Sequence, residues 1–266
     1  MGNLLYLYGL IPSKEAEQSL PALKDFDGNG DIYMIPVGKI TAIVCNLDAE
    51  NYSEEMLKER INNDMEWLQE KAFHHHETVL KLANLYTIVP LKFCTLYKNQ
   101  DSLENAVIEN EAKLLDTFGL IKGNEEWNLK IYCDDHLLKK QVGENNPTIE
   151  AKKEEISQLS KGKQFFEKKK LDKLIESELE AEKNKTSEKI HLQLKGLALR
   201  GDVKKAWSND VTGRKEDMTW NSVYLIPKTK VESFLEEVRR YEKDMKEKGW
   251  KFEATGPWPA YHFTSF

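Results

Sequence analysis

The chain opens on a continuous apolar run, LLYLY at residues 4–8, closed by Gly9 and Pro12, which predicts a strand buried on both faces. DFDGNGD at residues 25–31 supplies a tight turn. IYMIPVG and ITAIVCN follow with only Gly38 and Lys39 between the two runs, a spacing that predicts a hairpin. Leu57, Ile61, Met65, Leu68, Ala72, Val79 and Ala83 then recur at steps of three, four or seven, predicting one amphipathic helix of about seven turns capped by Ser53. TIVPLKF at 87–93 is strand-like, but Pro90 confines it to an edge or a bulge. Asp101 with Glu104 resembles a capping box ahead of Leu103, Val107, Leu114 and Phe118, and Gly119 marks the end of that second helix.

The pattern restarts at Trp127, where Trp127, Leu129, Ile131 and Cys133 share one face of a strand and Asn128, Lys130 and Tyr132 take the other. Residues 218–227, MTWNSVYLIP, predict another strand, and Thr229 with Glu232 a capping box for a helix bearing Val231, Phe234, Leu235, Val238 and Tyr241. After Gly249, Trp250, Phe252 and Ala254 alternate with polar residues in a last strand. One more short strand near residues 201–207 would complete a βαββαβ order, the ferredoxin-like arrangement. The expected fold class is therefore α+β, with an N-terminal α+β domain at 1–124 and a C-terminal ferredoxin-like domain at 125–266.

A helical arm at about 148–186 interrupts the second domain. Residues 150–190 hold 21 charged side chains, 11 basic and 10 acidic, over a thin apolar stripe of Leu171, Leu174, Ile175 and Leu179. The signs cancel, so the arm reads as a solvated helix rather than a nucleic-acid patch, with Gly162 as its expected break. Residues 190–199 fit both strand and helix periods, with helix favoured.

Composition narrows the class. The chain has 266 residues, 40% of them apolar, with 39 Lys plus Arg against 45 Asp plus Glu and a net charge of −6. Its pI near 5.7 and mean hydropathy of −0.63 describe a protein with a core and an extensively charged surface. The longest strongly apolar stretch, Leu4 to Pro12, falls far short of the roughly 20 residues of a membrane span, and no basic leader precedes it. Cys45, Cys94 and Cys133 form an odd set without a CxxC pair, which predicts buried free thiols in a reducing compartment, the cytoplasm.

Candidate chemistry is nearly present and nowhere complete. His74, His75 and His76 are consecutive, and on a helix they point about 100° apart, so they cannot converge on one metal. Leu80 and Thr78 stand where a zinc-binding HExxH or its inverse needs histidine, and His76, continuing the apolar stripe, is expected to be buried and hydrogen-bonded. Asp25, Asp27, Asn29 and Gly30 match half of a calcium loop, but Pro36 occupies the place of its bidentate Glu. Phosphate-loop and acyl-transfer signatures are absent. No catalytic, cofactor or metal residue is therefore assigned. The most unusual segment is GPWPAYHF at 256–263, an aromatic tail at 256–266 that also contains Phe266. It predicts either a docking surface for an apolar partner at Trp258, Tyr261 and Phe263 or a tail that folds back and seals the cleft between the two domains. Leu174 on the arm is the other candidate partner contact.

LLYLYGLIP, WLQEKAFHHHETV, IVPLKFCT, GNEEWNLKIYCDD, SKGKQFFEKKK, NSVYLIP and GPWPAYHF, in that order and across nearly the whole chain, resemble the blocks of the gas vesicle protein F/L family, closest to its L-type members. The usual family blocks read GPWPPY and PLRFGT, so Ala260, Lys92 and Cys94 depart from them. The resemblance implies a modified ferredoxin-like C-terminal domain, a cytoplasmic, gas-vesicle-associated accessory role without enzymatic activity or cofactors, and binding to the very apolar shell subunit or other vesicle proteins. Its chaperone-like task would be to keep that subunit from aggregating or to help nucleate the wall. The alternatives from the residues alone are a small-molecule or nucleic-acid module on a ferredoxin-like sheet, or an unrecognised enzyme; the acidic pI and missing phosphate loops weigh against the first.

Overall fold

The structure, a computed structural model, describes residues 3–264 and divides into two compact units, one of residues 1–126 with 257–266, the other of residues 127–256. The first unit contains β1 (Asn3–Pro12), β2 (Tyr33–Val37), β3 (Ile40–Asp48), α1 (Glu54–Asn63), α2 (Met65–Ala83), the short β4 (Val89–Pro90) and β5 (Leu96–Tyr97), α3 (Gln100–Glu109) and α4 (Glu111–Ile121). Its sheet runs β2-β3-β1-β4, with β5 also paired to β1. The predicted hairpin forms, Val37 opposite Ile40.

Strand β1 extends through Gly9 instead of ending there. A bulge between Leu7 and Gly9 shifts its register against β3, so Leu5, Leu7 and Leu10 face one side while Tyr6, Tyr8 and Ile11 face the other. The sheet is buried on both faces. One side packs on Leu103 and Val107 of α3 and Leu114 and Phe118 of α4, the other on Leu57 of α1 and Val79 and Leu82 of α2. Gly9 is required at the bulge, because a Cβ there would sit 2.6 Å from Cγ1 of Ile88.

Four expectations for this unit need correction. The single seven-turn helix is two, because Asp64 ends α1 and its carboxylate caps α2 by accepting from the Trp67 amide at 3.0 Å. The break resets the helical phase, leaving Met65 63% exposed and giving α2 a core face of His75, Thr78, Val79 and Leu82. The 87–93 strand shrinks to a two-residue pairing, since Pro90 lacks the amide that a longer ladder needs. The capping box lies two residues earlier, at Asn99 and Ser102. Asn110, whose side chain hydrogen-bonds the Ala106 carbonyl, separates α3 from α4, and the helix ends at Ile121, not Gly119.

The second unit contains β6 (Asn124–Cys133), which begins in the first, then α5 (Asp135–Asn145), α6 (Pro147–Ser157), α7 (Lys161–Lys195), β7 (Arg200–Lys204), the four-residue α8 (Asn209–Thr212), β8 (Asp217–Pro227), α9 (Val231–Met245) and β9 (Trp250–Trp258). The sheet order is β7-β8-β6-β9, that is second, third, first and fourth of the unit, the ferredoxin-like order with three helices in the first crossover. The short extra strand exists as β7. Leu129 and Ile131 of β6, Tyr224 and Ile226 of β8, Leu138 of α5, Phe234 of α9 and Leu179, Ile190 and Leu194 of α7 share one core.

The arm breaks at residues 158–160 rather than at Gly162, which lies in the first turn of α7. Gln164 holds that turn by donating to the carbonyls of Ser157 and Leu159. The Thr229–Glu232 capping box does not form, because a short 3-10 turn at Lys228–Lys230 precedes α9 and Glu232 pairs with Arg239. The long helix α7 is fixed to the unit by Lys183, a residue only 4% exposed, whose side chain donates to Asp135 of α5 at 2.8 Å and pairs with Glu180 and Asp217. No helix among the described residues is long and apolar enough to cross a membrane.

Candidate partner-binding surface

Helix α2 presents two different faces. On the core side, His75 is 3% exposed and fully engaged. Its Nε2 lies 3.1 Å from the Leu91 carbonyl oxygen, which can only accept, so Nε2 carries the proton and Nδ1 accepts from the Tyr6 hydroxyl at 2.8 Å. The Tyr6 oxygen in turn accepts from the Cys94 amide at 3.3 Å. This chain ties residues 91–94 to β1 and α2. Burial lowers the His75 pKa to about 4, so the ring is a neutral structural link. The buried histidine of the triplet is thus His75, one residue from the expected His76, because the break at Asp64 moved the core stripe.

Cys94 occupies the left-handed region at φ 61, the one described non-glycine residue that does so. Only glycine adopts this conformation without a Cβ penalty, so Cys94 stands at a position suited to glycine. Burial raises the thiols of Cys45 and Cys94 to about 11 and that of Cys133 to about 12, and all three are free.

On its outer side α2 carries Met65, Phe73, His76 and Leu80, spaced so that about 100° per residue leaves them on one stripe. Met65 and Phe73 are each 63% exposed. The C-terminal tail reaches this stripe, with the Trp258 ring 5.2 Å and the Tyr261 ring 6.5 Å from His76. Trp258 is 37% exposed, whereas Tyr261 and Phe263 are half-buried. Tyr261 packs on the core between the sheet and α1 and α2, and Ala260 on the opposite core. The tail is anchored by the His262 amide donating to the Glu126 carboxylate at 2.9 Å and by the Thr264 hydroxyl donating to the Ala260 carbonyl. The tail, placed by sequence in the second domain, therefore packs with the first unit, drawn there by its aromatic rings. Phe266 lies outside the described residues.

The candidate contacts are thus separated. Trp258 meets the exposed stripe of α2, Tyr261 packs on a core, Phe263 is half-buried, and Leu174 is half-buried on the arm, in another unit. Sequence reading missed Phe73, although an aromatic three residues before His76 and off the core positions was the available signal. The near-motifs resolve into turns. Asp25 Oδ1 accepts from the amides of Asp27 and Asn29, using the carboxylate that a calcium loop would need. Among the described residues no group of three His, Cys, Asp or Glu is placed to hold a metal ion.

The fold and the sequence both have relatives. Two crystal structures of the gas vesicle protein GvpF are similar to the chain. That from Anabaena sp. PCC7120 has a TM-score of 0.74 at 20% identity, covering 100% of this chain and 99% of its own. That from Microcystis aeruginosa has a TM-score of 0.67 at 19% identity, covering 99% of each. No curated protein sequence matches the chain. Residues 4–265 match the family described as gas vesicle synthesis protein GvpL/GvpF, and the chain belongs to that family.

Proposed function

We propose that this protein is a cytoplasmic, non-enzymatic accessory factor that binds the apolar shell subunit during gas vesicle assembly, using the outer stripe of α2 together with Trp258. The observation that carries the reading is the exposure of Met65 and Phe73 along the outer stripe of α2, with Trp258 beside His76 on that stripe, on a helix whose opposite side is already committed to the core. A shell subunit with an apolar face aggregates unless that face is covered before it enters the wall, and an exposed apolar and aromatic stripe covers such a surface. Binding of this kind is driven by apolar burial and resists salt.

The test is co-expression with the shell subunit. The wild-type chain should keep more of it soluble, and a Phe73→Ser/Trp258→Ala variant should lose most of that effect while retaining its own thermal transition. Tyr261 is left intact because its ring belongs to the core. A folded double variant that holds the shell subunit as well as the wild type moves the contact elsewhere. If the wild type binds neither the shell subunit nor another vesicle protein, and its deletion leaves vesicle formation unchanged, the assembly role is refuted.

A further inference from the structure

Two surface patches of the chain are opposite in charge, and each has exposed apolar side chains in it. The first is the start of α7. Residues 161–170 carry five lysines against one glutamate, in a protein whose net charge is −6. Among them Phe165 and Phe166 are 61% and 69% exposed and touch edge to face, with ring centroids 5.8 Å apart. At about 100° per residue, Phe165, Phe166 and Lys169 lie on the side of the helix away from Leu171 and Ile175, which pack on the core. Gly162 shares that outer side, and a Cβ there would meet nothing within 4 Å, so no neighbour in the fold requires the glycine. Ser160 makes no capping hydrogen bond and the first turn holds no acidic residue, so the helix dipole adds to the lysine charge instead of being offset.

The second patch is on α3 and α4. Residues 101–116 carry five carboxylates against one lysine, the inverse of the first. Leu103 and Val107 of α3 enter the core, and on the opposite side Ile108 stands 59% exposed, flanked one and two turns earlier by Glu104 and Asp101. An exposed aliphatic side chain beside Asp101 and Glu104 is the complement of an exposed aromatic pair beside Lys169, and both are present within a single copy.

We propose that copies of this protein associate head to tail, the acidic Ile108 patch of one seating on the basic Phe165–Phe166 patch of the next. The occupant of the aromatic patch is a second copy because the charge it calls for, with an apolar side chain at its centre, is present on this same chain. Such a contact is heterologous: a joined pair keeps one unused patch of each sign, one on either copy, so association continues beyond a dimer as concentration rises. Screening weakens it, because its lysines and carboxylates are at the surface.

Sedimentation velocity of the full chain tests the proposal through concentration and salt. The wild type should show a sedimentation coefficient that rises with concentration at about 0.1 M salt, and its association constant should fall by at least about tenfold at about 1 M, as the Debye length contracts from about 10 to about 3 Å. Lys168→Glu/Lys169→Glu should be monomeric, as should Asp101→Lys/Glu109→Lys; both alter exposed side chains and should preserve the thermal transition. Mixing the two variants should restore association, since each supplies the patch the other lacks. Phe165→Ser/Phe166→Ser should also be monomeric. A wild type that stays monomeric throughout, or variants that associate like it, or a mixture that remains monomeric, overturns the proposal. So does a monomeric wild type that binds vesicles of anionic lipid through Phe165 and Phe166, which would make the patch a membrane contact.

Discussion

Replacing His75 isolates one buried ring as a source of acid sensitivity in the first unit. The neutral ring donates to the Leu91 carbonyl and accepts from Tyr6, and burial lowers its pKa from the ordinary 6.5 to about 4. The unfolded chain therefore takes up a proton at this residue well before the folded chain does. Its contribution is intact above pH 6.5 and is lost progressively as pH falls towards about 4, the unfolded state binding more protons throughout that window. The shift of about two and a half pH units corresponds to a total of about 3 kcal/mol, of which about 2 kcal/mol falls between pH 7 and pH 5. Of the residues that face the ring, Tyr6 stays protonated because burial raises its pKa far above the working range. His75→Gln keeps a donor and an acceptor of similar reach. Urea unfolding followed by hydrogen exchange at the β1 and β3 amides, corrected for intrinsic exchange at each pH, reads the stability of this unit at pH 7 and pH 5. The variant should be less stable than the wild type at pH 7 by about 1 to 2 kcal/mol through imperfect hydrogen bonds, yet lose about 2 kcal/mol less on acidification. A variant with the same pH 7 to pH 5 loss as the wild type would refute the argument and assign the acid sensitivity to other groups.

Three further substitutions probe the backbone and the buried charge. Cys94→Gly should leave stability unchanged or raise it by up to about 1 kcal/mol, since relief at φ 61 offsets the added freedom of the unfolded chain, whereas Cys94→Val should cost about 1 to 2 kcal/mol; thermal unfolding of both variants checks the sign. Gly9→Ala should destabilise by about 1 to 3 kcal/mol in denaturant titration, because the new methyl meets Ile88 and, at 3.1 Å, the Val89 carbonyl; an unaffected midpoint would mean that Ile88 moves aside freely. Lys183→Met should cost about 1 to 3 kcal/mol by removing the cation beside Asp135 and Asp217, and hydrogen exchange should show α7 losing protection ahead of β6 and β8.

Local pattern determined most elements. The hairpin at residues 33–48 and the alternating strand at 127–133 were legible because a tight turn and a period of two leave few alternatives. Even β7 was recoverable, since the ferredoxin-like order needed one more strand where it lies. The ordered blocks carried the family, because several long segments in sequence constrain far more than any short motif.

What tertiary structure decided lay at breaks and faces. Asp64 interrupts an apolar repeat that continues numerically across it, and once its side chain caps α2, Met65 of that repeat faces outward while Leu57 and Val79 stay in the core and His75 turns in. Asn110 divides a second helix by bonding the preceding turn. Periodicity counts spacings but does not register a side chain that ends a helix by satisfying its backbone. The aromatic tail could be read as extended from its prolines and glycine, yet which of its rings is buried depends on Glu126 and the cores that receive Tyr261 and Ala260, far away in the chain. Likewise, the charges of the arm cancel along the sequence, and only the packing of Leu171 and Ile175 on the core turns Phe165 and Phe166 to the opposite side among lysines. Exposure is a property of what packs against a residue, so it was fixed by the assembled fold and not by the order of residues.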